Sequence, residues 1–165
     1  MYEVFPRERE IKVLGTVVYY YVTIEKYLAT IVLFLNQRNA HRKDYKEIDF
    51  KNLRNHEKIQ RVKKMTKEFL PSLFPEFEKV FMELDELREF RNIFSHCTIN
   101  TKSPKKDRFV YWDIVVPEDK CQYYWEHHYM IYQLENNLEK LENIIPKLEE
   151  LVIESIRLLK TSPKR

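Results

Sequence analysis

A single glycine, Gly15, occurs in the 165 residues of this chain. That scarcity narrows the fold more than any other feature. Type I′ hairpins, sandwiches and glycine-rich phosphate loops use glycine where the backbone needs positive φ or a close approach. One glycine argues strongly against a dinucleotide fingerprint or a P-loop. Helices are the expected alternative. Apolar residues make up 44% and charged residues 33%, the balance of a folded, soluble chain. The length suits one domain, residues 1–165, with about 161–165 as a frayed tail.

Periodicity supports the helical expectation. Ile11, Leu14, Val18, Tyr21, Leu28, Val32 and Leu35 recur on a seven-residue rhythm, and Val17, Ile24 and Ile31 widen the face. This predicts a long, largely buried helix over about 8–36. Glu25 breaks its stripe. Residues 38–55 are polar and basic without a clear period and read as a long loop. Ile59, Val62, Met65 and Phe69 then mark a second helix with a basic outer face. Pro71 and Pro75 end that helix and start a third, predicted over about 76–96.

After the third helix the pattern turns β-prone. "CTIN" and "RFVYWDIVV" flank "TKSPKKD", which predicts a hairpin. A last helix is predicted from about residue 119, with its rhythm carried by Ile131, Leu134, Leu138, Leu141, Ile145, Leu148, Val152 and Leu159. Pro146 is expected to kink or split it. The predicted fold is all-α: an antiparallel four- to five-helix up-down bundle, with a small β-hairpin between the third and last helices.

Charge is distributed unevenly. Residues 38–67 carry eleven Lys/Arg against four Asp/Glu, whereas 113–154 carry three bases against ten acids. A basic segment suits a polyanionic partner, and a solvated helix face explains it equally well. The two cysteines, Cys97 and Cys121, form neither a disulfide framework nor a zinc pattern. No run of about 18 apolar residues and no signal-peptide pattern stands out, so a cytoplasmic protein without a membrane partner is the expectation. No cofactor or metal site is predicted.

The residues with chemical potential cluster in "ELREFRNIFSHC", Glu86 to Cys97. On a continuous third helix, Phe77, Val80, Phe81, Leu84, Leu87 and Phe94 form one stripe, and Arg91 falls near its centre. A buried guanidinium without a partner costs several kcal/mol. Arg91 therefore needs an acid, a cleft or another chain. Glu25, also mid-stripe, is the intramolecular candidate for a supporting ion pair. His96 follows five residues later, about 140° away around an ideal helix, so the two do not share a face. Arg88, Asn92 and His96 do share one row. His96 at a helix end is either a cap or an acid–base group.

"RNIFSH" resembles the R-N-x-x-x-H signature of HEPN domains, small helical domains whose general motif is R-x4–6-H. The resemblance implies a metal-independent endoribonuclease that dimerises to bring two motifs together, of the kind found in toxin–antitoxin pairs and phage defence. Arg91 then corresponds to the signature arginine, Asn92 to the polar residue after it and His96 to the signature histidine. RNA, a second copy of the chain and an antitoxin protein are the implied partners. Lys102, Lys105, Lys106 and Arg108, beside the His96 end, either hold RNA phosphates or form a solvated turn, and Arg88 is a further RNA-binding candidate. Two alternatives are a non-catalytic HEPN-like module that binds RNA, a nucleotide or a protein, and a structural helical adaptor. The adjacent His127 and His128 read as packing residues. The aromatics Tyr111, Trp112, Tyr123, Tyr124, Trp125 and Tyr129 read as hairpin or interface packing, with base stacking as the second reading.

Overall fold

The computed structural model describes residues 8–53, 55–96, 98–99, 108–115 and 123–161, with side chains at 12–53, 57–92 and 132–161. Five α-helices run through them: α1 (Glu8–Asn39), α2 (Asn55–Phe69), α3 (Phe74–Glu86), α4 (Arg88–His96) and α5 (Ile131–Thr161). Strands β1 (Thr98–Ile99), β2 (Arg108–Val115) and β3 (Tyr123–Met130) come between α4 and α5. The chain forms two compact units. One takes Met1–Tyr19 and Glu86–Leu141, the other Tyr20–Asp85 and Glu142–Arg165. Helices dominate both the chain and its described core.

In the 20–85 and 142–165 unit, the core begins with Ile24, Leu28, Ile31, Val32 and Leu35, all buried on one face of α1. Their spacing of three, four and seven is the helical repeat. Val62 and Met65 of α2, Phe77, Val80, Phe81 and Leu84 of α3, and Ile144, Leu148 and Val152 of α5 complete it. The Phe77 and Phe81 rings stack with centroids 5.9 Å apart and 18° between planes. A fully buried side chain of this size contributes about 1.5–3 kcal/mol. Ion pairs cross between the same helices: Lys58 to Glu25, Lys63 to Glu78 and Lys147 to Glu83. The Arg38 guanidinium donates to the Leu159 carbonyl, joining the C-terminal ends of α1 and α5. Buried hydroxyls are satisfied within their own helices, Thr66 by the Val62 carbonyl at 2.9 Å and Ser155 by that of Leu151 at 2.6 Å.

The first half of α1 departs from the predicted burial. Val17 is buried, but Val18 is 55% exposed, Tyr19 64% and Val22 47%. By length and composition, Lys12–Asn39 is apolar enough to cross a membrane, with a mean hydropathy of 1.3 over its most apolar window, of which 28% is buried. Gly15 is exposed within this helix, and a Cβ there would meet nothing within 4 Å.

The polar segment after α1 is organised by one side chain. Asn36 is buried at 7% exposure. Its Nδ2 donates to the Ile48 carbonyl at 3.0 Å, and its Oδ1 accepts from the Ile48 N–H at 3.3 Å and the Tyr45 hydroxyl at 2.5 Å. A 3-10 turn, Phe50–Asn52, follows, with the Asp49 carboxylate accepting from the Lys51 N–H and from Asn52 Nδ2. The Tyr45 ring packs edge-on against Phe69 of α2, at 5.8 Å between centroids.

Two expectations need correction. The predicted third helix is two helices, α3 and α4, separated at Leu87. Leu87 and Phe90 are both buried, at 1% and 3% exposure, while Arg91 is half-buried. A continuous stripe would have centred Arg91 in the core; Phe90 takes a core position instead. Second, α5 begins at Ile131 rather than near 119, because Tyr123–Met130 forms β3. That segment is rich in Tyr and Trp, which fit a pleated surface, and the seven-residue rhythm starts only at Ile131. The sheet order is β1-β2-β3, antiparallel throughout, with Thr98 opposite Trp112 and Tyr111 opposite His127. Of the kink or split expected at Pro146, the split does not occur: α5 continues past Pro146, which is exposed.

Two substitutions test these arguments. Gly15→Ala should raise the unfolding free energy by about 0.5–1 kcal/mol, since the helix gains propensity and the methyl meets open space; chemical denaturation reads the change. Tyr45→Phe should cost about 1 kcal/mol by removing the bond to Asn36. Burial, with Glu47 and then Glu68 adding, raises the Tyr45 pKa above its ordinary 10.0. The folded chain therefore holds this proton to higher pH than the unfolded chain does. The resulting stabilisation is complete below the ordinary value and is lost as pH rises through the raised one. Tyr45→Phe should remove that part of the alkaline fall in stability.

Candidate functional site

The predicted motif falls on α4, nine residues with an acidic first turn at Glu89 and no glycine or proline inside. The helix is anchored by the buried Leu87 and Phe90. The Arg91 N–H donates to the Leu87 carbonyl at 3.0 Å, so the first turn closes directly on the break from α3.

The row Arg88, Asn92 and His96 runs along one side of α4 at i, i+4 and i+8. Arg88 and Asn92 are exposed, and Arg91, on the neighbouring row, is half-buried. The helix is intact through His96, its last residue. Arg91 and His96 thus sit about 7.5 Å apart along the axis and about 140° around it. With α4 continuous through His96, the two positions do not share a face.

The basic residues proposed to hold phosphate are located unevenly. Arg88 opens α4. Arg108 is the first residue of β2, opposite Met130. Lys102, Lys105 and Lys106 lie outside the described residues. Of the aromatic group, Tyr111 and Trp112 are on β2 and Tyr123, Tyr124, Trp125 and Tyr129 on β3. His127 and His128 are on β3 rather than on a helix, opposite Tyr111 and Val110.

Glu25 does carry an ion pair, and Lys58 of α2 is its partner, with Nζ 3.1 Å from Oε2. The Lys58 side chain is 14% exposed, and its ammonium also lies 5.4 Å from the centre of the Phe50 ring. The carboxylate in the stripe of α1 is thus explained by a lysine stem lying along apolar surface with its charge neutralised at the end. Sequence reading missed this pairing because Lys58 lies in a run of cations with nothing to set it apart.

Compared with known proteins, the chain matches no family model, no curated protein and no solved structure.

A double-mutant cycle with Glu25→Gln and Lys58→Met should give a coupling energy of order 1 kcal/mol. Glu25→Gln alone should be the more damaging single change, because it leaves a largely buried ammonium without its carboxylate. Equal and additive single effects in urea unfolding would mean that the pair contributes nothing specific.

Proposed function

We propose that this chain is a metal-independent endoribonuclease of the HEPN type, acting as a homodimer in which two α4 motifs form a composite cleft. The observation that carries the reading is the intact helix from Arg88 through His96. It keeps Arg91 and His96 on different sides of one helix, so a shared phosphate is reached most simply when a second copy supplies the missing side. In this reading the helices form an antiparallel up-down bundle, the protein is cytoplasmic, and an antitoxin protein controls it.

The residue types suit the chemistry. One His96 imidazole takes the proton of the RNA 2′-hydroxyl as the 2′-oxygen attacks phosphorus. The P–O5′ bond breaks, and the second His96, as imidazolium, protonates the departing 5′-oxygen. The products are a 2′,3′-cyclic phosphate and a 5′-hydroxyl. Arg91 holds the non-bridging phosphate oxygens through its planar donor fork as charge builds on them. Asn92 positions the phosphate or the imidazole by a hydrogen bond. Arg88, Lys102, Lys105, Lys106 and Arg108 hold flanking phosphates.

His96→Ala and Arg91→Ala should each lower cleavage of single-stranded RNA by about a hundredfold or more in the presence of EDTA, with circular dichroism unchanged. Mixing the parent chain with His96→Ala tests the composite cleft. Because the mechanism uses both His96 copies in one cleft, a mixed dimer should be inactive, and cleavage should fall with the square of the parental fraction rather than in proportion to it. Cleavage by His96→Ala at the parental rate would overturn the mechanism. RNA binding without cyclic-phosphate ends would assign the chain to the non-catalytic module instead.

A further inference from the structure

An open cavity of about 530 Å³ lies between the segment after α1 and the face of α2. Residues 44–49, 52 and 53 form one wall, and 61, 64, 65, 68 and 69 the other. It lies wholly within the 20–85 and 142–165 unit, which does not contain the α4 motif. Its size is that of a small-molecule site. It is too large to be explained by one inorganic anion.

The charge around it is more selective than the residue count suggests. Four carboxylates line the wall, but two are engaged. Asp44 pairs with Arg42 at 3.4 Å, and Asp49 caps the 3-10 turn. Three cations on the wall, Lys46, Arg61 and Lys64, are exposed and have no ion-pair partner among the described residues. Arg61 and Lys64 stand at i and i+3 on α2, side by side at the mouth. Beneath these exposed cations and the two remaining acids, Glu47 and Glu68, also exposed, the buried and half-buried part of the lining is an apolar floor of Ile48, Leu53, Met65 and Phe69. The raised pKa of Tyr45 reflects the same two carboxylates and the same burial.

We propose that this cavity binds a nucleotide whose base carries an exocyclic amino group. Arg61, Lys64 and Lys46 take the phosphate, with Arg61 supplying a planar fork and the lysines point charges. The flat base covers the apolar floor beside Met65 and Leu53. Its amino group donates to Glu47 or Glu68, the only acceptors on the wall that carry an unengaged charge. A simple anion would leave the floor and both carboxylates unused. An amino acid would fill too little of the volume. The nucleotide is either free or one residue of an RNA strand, and the chemistry of recognition is the same.

The experiment uses the full chain carrying His96→Ala, so that RNA is not consumed and the result is independent of the cleavage reading. Calorimetry with AMP, UMP, inorganic phosphate and a short single-stranded adenylate RNA gives the binding constants. AMP should bind more tightly than UMP, which lacks the amino group, and more tightly than phosphate. Arg61→Ala with Lys64→Ala, both at exposed positions, should weaken binding about tenfold or more. Glu68→Gln with Glu47→Gln should narrow the preference for AMP over UMP. Binding of the strand but not of AMP, lost in the Arg61→Ala/Lys64→Ala variant, assigns the cavity to a strand residue and supports the proposal. It is overturned if neither AMP nor the strand binds, if the Arg61/Lys64 variant binds as the parent does, or if phosphate competes as well as AMP.

Discussion

The buried face of α1, Ile24 through Leu35, is the constraint on which the 20–85 and 142–165 unit depends. Burial of these five aliphatic side chains gives α2 and α5 a common surface, α3 packs on α2, and the polar contacts between helices are placed around it. Lys58 reaches Glu25 because α2 packs on that face, and Arg38 reaches the Leu159 carbonyl because α5 does. These polar links set register. The apolar area removed from water supplies most of the stabilisation.

Much of this was legible in the amino-acid pattern. Leu28, Val32 and Leu35 on α1, Val62 and Met65 on α2, and Leu134, Leu141, Leu148 and Val152 on α5 were all predicted inward and are all buried. The rhythm failed where it was extended past its support. Val18 continues the stripe of α1 in sequence yet is exposed, since a stripe shows which residues can be buried and not whether a neighbour covers them. Residues 123–130 lack the leucines that mark α5 and contain the aromatics of a strand. The break at Leu87 has no glycine or proline to announce it. The Asn36 contacts span twelve residues through polar groups, which leave no periodic trace.

The candidate motif was legible in a different way. Its residues were found from an arginine that did not suit a core stripe, and the structure changes the terms of that conflict. Phe90 occupies a core position and Arg91 stands half-buried next to it. Arg91 is therefore partly in solvent rather than at the centre of a core stripe. Glu25, the acid named as its partner, has Lys58 beside it.

Asn36 has a consequence for which substitutions this chain can carry. Its amide presents a donor on one side and an acceptor on the other, and the neighbouring strand of chain uses both. Aspartate has nearly the same shape but would set a second oxygen against the Ile48 carbonyl. Leucine has similar volume and would leave the Tyr45 hydroxyl and both Ile48 backbone groups without their partner. Slow hydrolysis of the amide to the acid, a chemical ageing reaction of asparagine, would make the first of these changes with no mutation at all. The bond that ties α1 to the Ile48 carbonyl thus rests on the chemical integrity of one side-chain nitrogen.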